Sequence, residues 1–152
     1  PWAGLMMRPP AWVSDYVGIP FEDHGRTHQG CDCWGLVRLV LAEQAGIRLP
    51  CYGHSYEAAT QGDVLAPLIG TEKVAWTSVP AGCERALDGV LMKGYFGVGR
   101  QMRAGDFHVG VVVAPGLLMH VERGTDTCLV SYRRDRRVRY RLRGFYRHAG
   151  LS

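Results

Sequence analysis

A chain of 152 residues and 16.8 kDa has room for one domain with a sizeable core, and hardly for two. A hydrophobic fraction of 47% against 21% charged excludes wholesale disorder, and Arg, Glu, His or Gly interrupts every apolar run before it reaches the length of a membrane span. The net charge of +4 is uneven: residues 133–148 hold eight arginines and one Asp, for +7, which leaves the rest at −3. A mildly acidic body with a basic C-terminal band follows.

Pro1–Pro10 carries Trp2, Leu5, Met6 and Met7, but its Arg and prolines do not make a secretory signal. We therefore expect an N-terminal extension on a single domain spanning 1–152, made in the cytoplasm without a signal peptide and with no membrane insertion. Trp12, Val13, Tyr16 and Val17 have helical spacing, so residues 11–19 predict a short helix stopped by Pro20. Residues 21–32 are polar with Gly25 and Gly30 and read as a loop. Leu36, Val37, Val40 and Leu41, opposite Arg38, Glu43 and Gln44, predict an amphipathic helix from Cys33 to Ala45, capped by Asp32 and closed by Gly46.

A third helix is expected over roughly 55–65. Beyond it, Val90–Met92, His108–Val113, Leu117–Glu122, Cys128–Tyr132 and Val138–Tyr146 are short Val-, Leu-, Met- and Tyr-rich runs separated by Gly, Pro, Asp or Thr, and read as strands. In the last, Val138, Tyr140 and Leu142 alternate with Arg139, Arg141 and Arg143, which predicts an Arg-rich terminal strand within 133–148 with its arginines on one face. Helices first and antiparallel strands second make an α+β domain. The arginine face suits water or an acidic partner better than nucleic acid, because the interleaved aromatics have the spacing of core residues.

Five cysteines cannot all pair within one chain, and Cys31 and Cys33, one residue apart with no second pair, lack structural zinc spacing. No metal and no cofactor are expected. Cys33 stands where a polar loop enters a helix, and there the helix dipole and unpaired N–H groups favour a thiolate. Cys31 reads as a packed loop residue. A nucleophilic cysteine needs a base. His108 opens an alternating strand that Ala114-Pro115-Gly116 turns into Leu117–Glu122, a hairpin with a three-residue loop. With Val113 facing Leu117, His120 lies opposite Gly110 and diagonal to His108, and Glu122 directly opposite His108. His108 is then the candidate base, with His120 as its orienting residue and Glu122 as the rival. His24, His28, His54 and His148 lie in polar or terminal stretches and read as surface residues.

Gly18-Ile19-Pro20-Phe21, Gly30-Cys31-Asp32-Cys33-Trp34-Gly35-Leu36-Val37, His108-Val109-Gly110-Val111 and His120 together resemble the NlpC family of papain-like cell-wall cysteine peptidases. The resemblance runs from about Trp12 to Val121 and is closest to the branch encoded with tail proteins of phages and phage-like gene transfer agents. It implies a papain-like NlpC fold in which N-terminal helices, the nucleophile helix among them, pack on an antiparallel sheet. It also implies Cys33 as nucleophile, His108 as general base and His120 as the residue that orients it. The implied activity is hydrolysis of peptidoglycan stem peptides, of the D,L-endopeptidase type, by a component of a particle's tail or baseplate that opens the wall for DNA delivery. Phage-type tail or hub proteins are the implied partners, and a structural tail-tip subunit with little or no catalysis is the alternative. Two positions depart from the common pattern: Phe21 replaces a Tyr that can help near the oxyanion, and Trp34 replaces a Ser.

Overall fold

The structure, a computed structural model, describes residues 8–50, 75–94 and 107–151; the helix expected near 55–65 lies outside them. Ala11–Asp15 form a single 3-10 turn, not a helix running to residue 19. The chain leaves the turn because the Gly18 N–H donates to the Thr127 carbonyl and Ile19 accepts from the Thr127 N–H. Tyr16 is buried beside this turn, its hydroxyl donating to Glu43 and accepting from Gln44.

The segment read as a loop contains a small hairpin, β1 (Arg26–Thr27) and β2 (Gly30–Cys31), paired Arg26↔Cys31 and Thr27↔Gly30. Two-residue strands are too short to show a period of 2 in sequence. The hairpin lies tight against the helix that follows: a Cβ on Gly35 would collide with the Gly25 carbonyl oxygen.

Helix α1 (Cys33–Ala45) has the expected bounds. Asp32 Oδ1 accepts from the Gly35 N–H at 2.7 Å. At the other end Gly46 takes φ 67°, and its N–H and that of Ile47 close back onto Ala42 and Leu41. Leu36, Val37, Val40 and Leu41 are fully buried, each stabilising the fold by about 1.5–3 kcal/mol.

α1 packs on one face of a six-stranded antiparallel sheet, order β3-β8-β4-β5-β6-β7. The strands are β3 (Trp76–Val79), β4 (Gly89–Lys93), β5 (Phe107–Ala114), β6 (Leu117–His120), β7 (Cys128–Ser131) and β8 (Leu142–His148). β3 was not expected from sequence; it is an edge strand with two exposed residues in its middle and shows no clean alternation. Val109, Val111 and Val113 join the core under α1, together with Met119 and Leu91. Val112, Leu118, Val90 and Met92 face the opposite side, where Tyr132, Val138 and Phe145 cover them.

The β5–β6 hairpin follows the expected register at Val111↔Met119 and Val112↔Leu118 but closes one residue tighter. Ala114 pairs with Leu117, Val113 is bulged, and the turn is Pro115-Gly116, with Gly116 at φ 93°. The C-terminal segment departs further. Arg136–Arg139 form a helical turn, α2, that Asp135 caps by accepting from the Arg137 N–H, and Val138 is buried from it; only from Leu142 does the chain become a strand. The arginines do not all share a face: Arg141 and Arg147 turn inward onto Glu122 and Asp88, whereas Arg133, Arg134, Arg136, Arg137, Arg139 and Arg143 are exposed.

Candidate active site

Cys33 is the first residue of α1 and is buried, and Asp32 before it holds the local backbone together. The fully buried Asp32 carboxylate accepts from the Gly35 and His24 N–H groups and from Arg26 Nη1, which also donates to the Gly25 carbonyl. Cap, hairpin and helix start are thus one unit, and the thiol is fixed by it. The backbone N–H groups of Val109 and Trp34 point at the sulfur, which sets the thiol beside the residue that follows His108 in β5.

The sequence expectation of a thiol lowered by the helix start does not hold in this closed site. Burial pushes the Cys33 thiol well up and the Asp32 charge adds to that, while the N–H groups of Val109 and Trp34 pull it only partly back. Cys31, also buried, is pushed up to about 12, chiefly by burial, and packs in the core as expected.

His108 and His120 are both buried and bonded to each other, His108 Nε2 to His120 Nδ1, at 2.9 Å. Gly110 lets this happen. A Cβ there would stand 2.9 Å from the Met119 carbonyl oxygen and 3.2 Å from the His120 Cβ. Glu122, the rival, lies past the end of β6; its Oε1 is 3.6 Å from His108 Nε2 and is bonded to Arg141 Nη2. The nearby carboxylate favours a proton on His108 Nε2, which makes His120 Nδ1 the acceptor and leaves His108 Nδ1 with a lone pair. Burial holds His108 well below the usual imidazole range, with the His120 and Arg141 charges adding to it; burial also lowers His120, against the pull of Glu122.

Among the described residues His108, His120 and Glu122 come close enough to share a cation, their ligand atoms within 4.8 Å of one another, but the imidazoles are engaged with each other and Glu122 with Arg141. Phe21 forms a bridge with Cys31, packs against the core under α1, and has the Arg123 guanidinium 5.1 Å over its ring. Trp34 is anchored by its indole N–H on the Pro50 carbonyl. Of the other expected surface histidines, His28 is exposed, pairs with Glu43 and stacks on Tyr16; His24 and His148 are half-buried, His148 edge-on against Trp76; His54 lies outside the described residues. Sequence reasoning missed Arg26 and Arg141. Arg26 shows no periodic signal, and Arg141 was hidden in the apparent alternation of its band.

A thiol at the mouth of a capped helix, laid on an antiparallel sheet that carries a histidine pair, defines the papain-like class of α+β fold. The chain belongs to the NlpC/P60 family, whose profile matches residues 18–144. Solved structures agree on the fold. The NlpC/p60 domain of the peptidoglycan hydrolase SagA is similar with a TM-score of 0.52 at 17% identity, over 90% of this chain and 93% of that one. A lipoprotein-like NLP/P60 family protein from Staphylococcus aureus has a TM-score of 0.57 at 19% identity over 88% of this chain. An NlpC/P60 family protein from Bacillus cereus has a TM-score of 0.57 at 16% identity over 94%. This chain spans 37% of the Staphylococcus aureus protein and 42% of the Bacillus cereus protein. No protein of curated function matches it significantly. Among the described residues no helix is long and apolar enough to cross a membrane.

Proposed function

We propose that this domain is a cysteine peptidase that hydrolyses peptidoglycan stem peptides, with Cys33 as nucleophile, His108 as general base and His120 as the residue that orients it. The observation that carries the reading is the hydrogen-bonded His108–His120 pair beside the backbone contact that holds the Cys33 thiol. In the proposed mechanism His108 Nδ1 takes the thiol proton as the sulfur attacks the amide carbonyl. The tetrahedral oxyanion is held by backbone N–H groups around Cys33, since Phe21 has no hydroxyl to offer. His108 then gives its proton to the leaving amine, and water hydrolyses the thioester to free Cys33. Burial disfavours both the thiolate and the imidazolium, so the proton that His108 takes is moved as part of activating the thiol. The relationship to a family that includes a peptidoglycan hydrolase supports the substrate class.

The finer reading is a D,L-endopeptidase in the tail or baseplate of a phage or phage-like particle, opening the wall for DNA delivery. It draws on the likeness of the Gly30–Val37 and His108–Val111 blocks to that branch. The exposed arginines from Arg133 to Arg139, beside an exposed Tyr140, favour an acidic tail or hub protein as partner, which is also what a purely structural subunit would need.

Digestion of purified peptidoglycan, with fragments identified by mass spectrometry, tests the activity. The parent should release stem-peptide fragments, and Cys33→Ala and His108→Ala should release none. Equal cleavage by Cys33→Ala would refute the reading, and a parent inert even with its particle partners would favour the structural role.

A further inference from the structure

Arg141 belongs to the basic band, yet it is turned into the protein beside the histidine pair. Its Nε donates to the Lys93 carbonyl at 2.9 Å, its own carbonyl accepts from the Lys93 N–H at 2.7 Å, and its Nη2 bonds Glu122 Oε1. The guanidinium is therefore fixed by the end of β4 on one side and by Glu122 on the other. The oxygen it holds is the same Oε1 that lies 3.6 Å from His108 Nε2.

Two acceptors stand near the single Nε2–H of His108: a neutral imidazole nitrogen at 2.9 Å and a carboxylate oxygen at 3.6 Å. A carboxylate is the stronger acceptor, so its standing back needs a cause. Arg141 supplies one by claiming that oxygen. We propose that Arg141 is a positioning residue that selects His120, and not Glu122, as the hydrogen-bond partner of His108 Nε2. The inference builds on the reading of His108 as a base, but its test needs no turnover.

Without Arg141, the Glu122 oxygen can close the gap and accept from Nε2. A carboxylate in that place stabilises the imidazolium, and the site loses a nearby cation at the same time. Among the described residues, the titratable and charged groups around His108 are Cys33 at the start of α1, His120 in β6, Glu122 after it and Arg141 before β8, with Asp135 acting on His120; Lys93 at the end of β4 meets Arg141 through its backbone. Glu122 is the carboxylate among them that reaches Nε2.

The experiment is titration of 15N-histidine-labelled protein by NMR, with His108→Ala for assignment, on the parent, Arg141→Gln, Glu122→Gln, the double variant and Arg141→Lys. Arg141→Gln should raise the His108 midpoint by about one pH unit, the double variant should lose most of that rise, and Glu122→Gln alone should shift it far less. Arg141→Lys, which keeps a cation on Glu122, should stay near the parent. Should Arg141→Gln not fold, Arg141→Met, which keeps the apolar stem, takes its place in both variants. An unchanged midpoint, or a rise equally large in the double variant, would overturn the proposal. A chain that shows the expected pattern but cuts no peptidoglycan would refute the peptidase reading and leave this one standing; an active peptidase without the shift would do the reverse.

Discussion

Glu84 and Asp88 are buried about as deeply as Cys33 and His108, but the two carboxylates are held by cations, a hydroxyl and backbone N–H groups, whereas the thiol meets only backbone N–H groups and the imidazole another imidazole. Asp88 takes two hydrogen bonds from Arg147, both at 2.7 Å, and one from the Arg85 N–H. Glu84 takes the Tyr132 hydroxyl and the Gly82 N–H, and that hydroxyl in turn accepts from the Gly116 N–H. Burial pushes the Glu84 carboxyl up, but these donors hold it below its ordinary value. At the other cluster burial wins: thiol and imidazole are both driven neutral. Burial by itself confers no chemistry. A buried group whose charged form burial opposes is the one whose proton chemistry a substrate can change, and a carboxylate with a full set of donors is not.

Breaking the satisfied cluster should cost stability and spare the site. Arg147→Ala strands the Asp88 charge and should destabilise by about 3–5 kcal/mol in urea unfolding, with the reactivity of Cys33 unchanged. Gly110→Ala attacks the other cluster: its Cβ crowds Met119 and His120, so stability should fall by about 1–3 kcal/mol and the His108–His120 bond should be lost from the histidine NMR signals. Tyr132→Phe removes one hydroxyl from between Gly116 and Glu84, for about 1–2 kcal/mol, and peptidoglycan cleavage should persist. A drop in cleavage comparable to that of Gly110→Ala would break the separation between the two clusters.

Acid should distinguish them more gently. Both histidines are held below the ordinary 6.5, so below that pH the unfolded chain binds more protons than the folded one. Their neutral burial costs nothing above pH 6.5, and stability falls as pH drops through that value. Glu84 is depressed from 4.5, so its contribution is present above that pH and disappears only below it. The urea midpoint should therefore decline in two stages on acidification. His120→Gln should blunt the first stage and leave the second; a parent with constant stability from about pH 7 to about pH 5 would contradict the assignment.

What could be read from the sequence was what local chemistry decides. Asp32 and Gly46 mark both ends of α1, and the Val-rich alternation with Gly110 sets the register that brings His120 to His108. The hairpin's closure was misjudged by one residue, because nothing in Val113 or Ala114 announces a bulge. The alternation from Val138 to Arg143 matched a strand, but Asp135 supplies a cap and Val138 a burial site, and these tertiary gains outweigh a pattern of 2. The exposures of β3 hid it, and the pairings of Arg26, Arg141 and Arg147 join residues whose proximity only folding creates. For the thiol, the helix start was legible and the depth of burial was not.

The central claim, that His108 activates Cys33, is tested most directly by the alkylation rate of Cys33 near neutral pH, followed by peptide mass spectrometry with exposed Cys83 as internal reference, in the parent and in His108→Ala. The account predicts that the Cys33 rate relative to Cys83 falls at least about tenfold in the variant, in keeping with a lost general base. An unchanged ratio would contradict it.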